Sequence, residues 1–107
     1  MITNKERKIA YDHLGRSFDV APRDKAELWA SLLKAARILR HRHPAYGYLH
    51  VVWESTLLPE TADLDDLQRL KVMSGFTSLT LHQLQAVGKA CFYVLRDELD
   101  ARKITGS

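Results

Sequence analysis

Cysteine is almost missing from this sequence: Cys91 stands alone among 107 residues, so no disulfide can form within the chain. Its place in an apolar helical pattern predicts a small core residue rather than a reactive thiol. Long apolar runs are lacking too. No stretch approaches the roughly eighteen uninterrupted apolar residues of a membrane-spanning helix, and the opening MITNKERKIAYDHL is charged where a signal peptide needs an apolar segment. These features predict a cytoplasmic protein. Only three prolines and five glycines are present, which excludes a low-complexity or collagen-like chain, and no internal repeat suggests a solenoid. GxSxG, HExxH, CxxC and Gly-rich phosphate-binding loops are all absent. The expectation is a chain that is not an enzyme and carries no cofactor or metal.

What is present suits one folded domain. Hydrophobic residues make up 46% and charged residues 27%, enough apolar surface for a core without disulfides. The domain is expected over residues 1–103, with a disordered tail at 104–107. The net charge is only +3, but residues 1–50 carry ten lysines and arginines against five acids, whereas residues 51–107 carry six against eight. A basic first half favours an anionic partner without naming one.

Helical periodicity dominates. From Thr80 to about Lys103, Leu81, Leu84, Gly88, Cys91 and Leu95 recur at steps of three and four, with Val87, Phe92 and Leu99 beside them, and Thr80 and Gln83 fit a capping box. Gly88 interrupts that stripe where Ala would favour the helix by about 1 kcal/mol, which predicts close approach of another helix. Near the start, Thr3 and Glu6 form a second capping box before Ile9, Ala10, His13 and Leu14, and Gly15 is a natural stop. Residues 16–23 are expected to connect, with Phe18 and Val20 reaching into the core. Asp24 and Glu27 cap a further helix through KAELWASLLKAARILRHR, which Pro44 ends. In it Leu28, Leu32, Ala35 and Leu39 make the inner face, while Lys34, Arg37 and His41 share an outer stripe with Arg40 beside them. Acids at Asp63, Asp65 and Asp66 suit the N-terminus of another helix, running to Gly75. Residues 46–57 fit helix or strand, and helix is preferred because no second strand exists to pair with them. The expected fold is therefore all-α, with four or five helices and the long C-terminal helix in the core.

Three constellations hold functional content. The run RILRHRHPAYGYLH places Arg37, Arg40, His41, Arg42 and His43 before Tyr46 and Tyr48. With Lys34 this is a candidate nucleic-acid or partner surface, since cations neutralise phosphate and tyrosines stack on bases. The same cations would also suit a helix C-terminus electrostatically. His41, His43 and His50 could be considered as metal ligands, but no zinc pattern surrounds them, and solvated histidines are the simpler expectation. Tyr93, pointing off the apolar stripe of the long helix, is the best single candidate for an exposed docking anchor, and Trp29 and Trp53 could also contribute.

Residues 67–86, LQRLKVMSGFTSLTLHQLQA, resemble a DNA-binding helix-turn-helix with Gly75 at the turn. The resemblance implies Thr80, His82, Gln83 and Gln85 as base readers. Lys71 departs from the small residue that the motif requires, and Asp63, Asp65 and Asp66 would repel phosphate. A Cys91–His82 pair cannot form within one helix, because nine residues place them on opposite faces. Glu54 beside Trp53 could act as a general acid only if buried. The favoured function is a small non-enzymatic regulator or adaptor that docks a helical surface onto a protein or nucleoprotein partner, or onto a second copy. The alternative is DNA or RNA binding through the basic half or the helix-turn-helix.

Overall fold

The computed structural model describes residues 2–19, 25–56 and 79–104. They form four α-helices: α1 Asn4–Leu14, α2 Lys25–Leu39, α3 Tyr46–Thr56 and α4 Leu81–Ile104, with a 3-10 turn over Gly15–Phe18. The fold is all-α, and no strand occurs among the described residues. The ambiguous segment at 46–57 is thus helical through Thr56. The helix expected from Asp63 to Gly75 lies outside the described residues, as do Val20, the Asp24 cap and most of the helix-turn-helix. The long helix continues to Ile104, one residue into the expected tail.

Local chemistry explains where the helices begin. At α1 the Thr3 N–H donates to Glu6 Oε1 at 3.0 Å and the Glu6 N–H donates to Thr3 Oγ1 at 3.1 Å, which closes the capping box. At α4 the same exchange joins Thr80 and Gln83, at 2.9 and 3.1 Å. Gly15 ends α1, but not through a left-handed conformation: its φ is −57°, and the chain tightens there into the 3-10 turn.

The most enclosed helix is α2, because none of its residues is exposed. Leu28, Leu32, Leu33 and Leu39 are all 0% exposed, and burying each such side chain stabilises by roughly 1.5–3 kcal/mol. Against them pack Ala10 and Leu14 of α1, Leu49, Val52 and Trp53 of α3, and Leu84, Cys91 and Leu95 of α4. The α4 stripe is therefore as the sequence spacing predicts, and the long C-terminal helix is packed in the core against the more enclosed α2.

Gly88 is a point of close approach. A Cβ there would overlap Ser17 Oγ, and would lie 2.9 Å from Leu32 Cδ2 and 3.1 Å from Ser17 Cβ. Leu32 belongs to α2, as expected, and Ser17 belongs to the 3-10 turn, which the sequence pattern did not indicate. Only a residue without a side chain lets α4 touch both.

Several expectations need correction. α2 stops at Leu39, before Arg40–His43, so Pro44 is not what ends it. Leu39 O instead accepts from the N–H groups of both Arg42 (2.9 Å) and His43 (3.0 Å), and His41 takes φ 62° as the chain reverses. Phe18 does not reach into the core but is 43% exposed, and Ile9 is 39% exposed. Helical spacing points Ile9 inward, and hydrophobicity within a connection points Phe18 inward, but neither signal sees which neighbours are at hand. Trp29 and Trp53 are buried at 3% and 5%, so neither is a surface anchor.

Candidate functional site

The basic run is the first place to look for a site, and most of its groups engage the protein itself. Arg42 makes a two-pronged pair with Glu6 of α1, Nη1 to Oε2 at 2.6 Å and Nη2 to Oε1 at 2.7 Å. That hydrogen bond, with the Thr3 N–H, lowers the Glu6 carboxyl to about 2. His43 is almost wholly covered: its side chain is 6% exposed, and Nε2 lies 2.7 and 2.9 Å from the two oxygens of Glu98 on α4. The Ala45 N–H donates to His43 Nδ1 at 3.0 Å, which assigns the ring proton to Nε2, facing the carboxylate. Both ring nitrogens are thereby occupied, and neither lone pair is available to a substrate or a metal.

Glu98 also receives Arg7 of α1, whose Nε donates at 2.9 Å from a side chain only 4% exposed. Arg7 Nη1 further donates to Asn4 Oδ1 at 2.7 Å. Burial tends to raise the Glu98 carboxyl, but the hydrogen bonds from His43 and Arg7 outweigh it and hold the group below the usual carboxylate range. The Arg7, Glu98 and His43 cluster ties α1, the 40–45 turn and α4 together. It acts as a latch, not as an acid–base pair open to solvent.

The remaining basic positions differ from one another. Arg40 lies 4.9 Å over the Trp53 ring. Lys34 is half-buried on α2, close enough to His13 that its charge joins burial in lowering the His13 imidazole. Arg37 is half-buried, with an Nη1 atom that has no hydrogen-bond partner among the described residues. The expected stripe of Lys34, Arg37 and His41 does not form, because His41 lies beyond the end of α2 in the reversing turn, where it is exposed. Tyr46 is half-buried and meets His50 edge-on at 5.9 Å, whereas Tyr48 is 47% exposed. His50 pairs with Glu54 at 3.2 Å, and both side chains are 60% exposed, so Glu54 is not a buried acid. Among the described residues no three histidine, cysteine, aspartate or glutamate side chains gather to hold a metal ion. Thr80 and Gln83, implied as base readers, use their side chains in the α4 cap. Burial, joined by the Glu98 charge, pushes the Cys91 thiol up to about 12, so it stays protonated and unreactive at neutral pH.

The second place is an aromatic face built by α1, the 3-10 turn and α4. Tyr11 stacks on Phe92 at 4.5 Å between centroids, Phe18 meets Phe92 edge-on at 4.8 Å, and Tyr93 meets Phe18 at 5.8 Å. Tyr93 is 42% exposed and Phe18 is 43% exposed. Tyr93 thus sits where the sequence placed it, but in a cluster the sequence did not reveal. Three cations lie over the rings: Lys8 is 4.9 Å from the centre of Tyr11, Lys89 5.1 Å from Phe18, and Arg96 4.7 Å from Tyr93. Beside them a cleft of about 150 Å³ is lined by Lys8, Tyr11, Arg96, Leu99 and Asp100.

Arg7 and Glu98 are residues the sequence reading missed, although a signal existed. Arg7 continues the Ala10 and Leu14 face of α1, and Glu98 continues the Cys91 and Leu95 face of α4. Opposite charges on two apolar faces point to a buried pair, because a lone buried charge is rarely tolerated.

Among the described residues no helix is long and apolar enough to cross a membrane. In comparisons with known proteins, the chain matches no protein-family model, no curated protein and no solved structure.

Proposed function

We propose that this chain is a small non-enzymatic regulator or adaptor that docks the Phe18, Phe92 and Tyr93 face onto a macromolecular partner. Cytoplasmic placement is part of the proposal, since a lone buried thiol suits a reducing compartment. The observation that carries the reading is the exposure of Phe18 and Tyr93 within a cluster of rings that already brace one another. Aromatic and arginine side chains concentrate binding energy at interfaces, and rings fixed before binding lose little entropy on association. A buried thiol and a histidine with both nitrogens engaged supply no nucleophile or base.

Nucleic-acid binding stands second. It draws on the basic half, where Arg42 and His43 are bound to Glu6 and Glu98, or on the helix-turn-helix resemblance at 67–86, most of which lies outside the described residues.

The test is a photo-crosslinking residue at position 93, with a control at His50 on α3. Adducts to a protein or a second copy that form from position 93, not from position 50, and disappear in Phe18→Ala are the expected result. Equal labelling from both positions, or none from position 93, would refute the docking reading.

A further inference from the structure

We infer that the partner of the aromatic face is an acidic segment of a protein, in which carboxylates alternate with apolar side chains. The inference rests on the docking reading above and adds the chemistry of the occupant. An aromatic ring is negative over its faces and positive at its edges. Tyr11, Phe18 and Tyr93 each carry a cation over one face, from Lys8, Lys89 and Arg96. The surface therefore offers cationic N–H donors set beside partly exposed rings, and carboxylate oxygens are complementary to those donors. The adjoining cleft repeats the pattern, with Tyr11 and Leu99 as apolar lining and Lys8 and Arg96 as cations.

Three acids, Asp12, Asp97 and Asp100, lie beside these cations, so the attraction for a carboxylate rests on Lys89 and on pairs held in water. Asp12 pairs with Lys8 at 2.8 Å, with side chains 60% and 58% exposed, and Asp97 reaches Arg96 at 3.3 Å while 71% exposed. Such pairs in water contribute little and exchange readily for a partner's carboxylate. Asp100 is the one acid lining the cleft. Lys89 forms no ion pair among the described residues. A single-stranded nucleic acid also carries anions, but it gains affinity on aromatic platforms by stacking bases on open ring faces. Here each of those three rings already holds a cation on a face, which favours the carboxylate partner.

The experiment uses the full chain and three fluorescent probes: a short peptide alternating glutamate with leucine and phenylalanine, the same peptide with glutamine for glutamate, and an oligothymidylate of similar length. The acidic peptide should bind at least about tenfold tighter than either other probe, and Lys89→Gln with Arg96→Gln should remove about that factor. Circular dichroism melting checks that the variant remains folded, and Lys89→Gln alone, at a half-exposed surface position, serves if the double variant does not. Equal binding of the two peptides, abolished by Phe18→Ala, would overturn the acidic assignment while leaving the docking face. Preference for the oligothymidylate would overturn it in favour of nucleic acid. Failure of all three probes with crosslinks from position 93 intact would refute the acidic chemistry alone, and failure of both would refute the docking reading as well.

Discussion

Two regions of this protein are rich in cations and use them in opposite ways. In the turn after α2, Arg42 and His43 point back onto Glu6 and Glu98, and Arg40 lies on Trp53. On the aromatic face, Lys8, Lys89 and Arg96 lie over partly exposed rings, and the acids nearby are themselves exposed. The first region spends its charge on joining helices, and the second leaves charge at the surface. Density of charge therefore does not locate a binding surface. What distinguishes the two is how far the partner is covered and how remote it is. Glu6 and Glu98 are 32% and 36% exposed and belong to other helices, whereas Asp12 and Asp97 are 60% and 71% exposed and neighbour their cations along the same helix.

The comparison can be sharpened by breaking the inward side of α4 first. Gly88→Leu should be the most damaging change, because its Cβ overlaps Ser17 and its branches must displace Leu32, a core residue with 0% exposure. Overpacking of this kind costs about 1–3 kcal/mol and more where backbone must move. A domain of this size then melts lower by about 10 °C or more, as calorimetry would show. A melting temperature equal to the wild type would mean that α4 does not bear on the 3-10 turn and α2.

Next comes the latch. Glu98→Ala leaves the covered Arg7 guanidinium and the His43 ring without their shared acceptor. An unpaired buried charged group costs on the order of 2–3 kcal/mol, readable as a lower urea midpoint. The carboxyl is held below its unfolded value, so its contribution is fully present above the ordinary carboxylate range and is lost as pH falls through the folded value. Stability of the wild type should thus rise with pH across the acid range, and Glu98→Gln should flatten that rise. Glu6 has the same sign over about 4.5 down to about 2, so Glu6→Gln should flatten the same limb. An unchanged acid slope in both variants would show that neither carboxylate is paired in solution.

The outward side should respond far less. Phe18→Ala and Tyr93→Ala remove ring contacts worth about 0.5–1.5 kcal/mol and little buried area, so each should cost about 1 kcal/mol while partner binding is lost. If either variant is as unstable as Gly88→Leu, the face is structural and the contrast between the regions fails.

Much of the fold was legible because it rests on local rules. Both capping boxes, the α4 stripe and the special status of Gly88 follow from residue types at fixed spacings. For 46–57 pairing logic favours helix over strand, since a strand with no neighbour cannot satisfy its backbone, and the described part through Thr56 is helical. The errors arose where contacts are remote in sequence. The Arg42–Glu6 pair was not legible because Glu6 is distant along the chain, and Phe18 is misplaced by the same logic, because a hydrophobic side chain in a short connection usually turns toward the core. Tyr93 was found from its angle on one helix, but the ring cluster it belongs to draws on three elements, which no single-helix pattern contains. The end of α2 was misplaced for a different reason: Pro44 is a strong breaker, yet the chain had already reversed at His41.

That reversal supports the smallest prediction. His41 adopts φ 62°, a left-handed conformation in which a Cβ crowds the following carbonyl. Glycine has no such conflict but is also freer when unfolded, so His41→Gly should gain only about 0.5 kcal/mol. His41 has an interaction of its own, and the cleaner measurement compares His41→Gly with His41→Ala, which both lack the ring. Their difference in urea midpoint should correspond to about 1 kcal/mol in favour of glycine. Equal midpoints would mean that the turn relaxes to negative φ when the ring is absent. His41 would then be holding the geometry that aims Arg42 and His43 inward, and each variant should show a weakened Glu98 latch as a flatter acid slope.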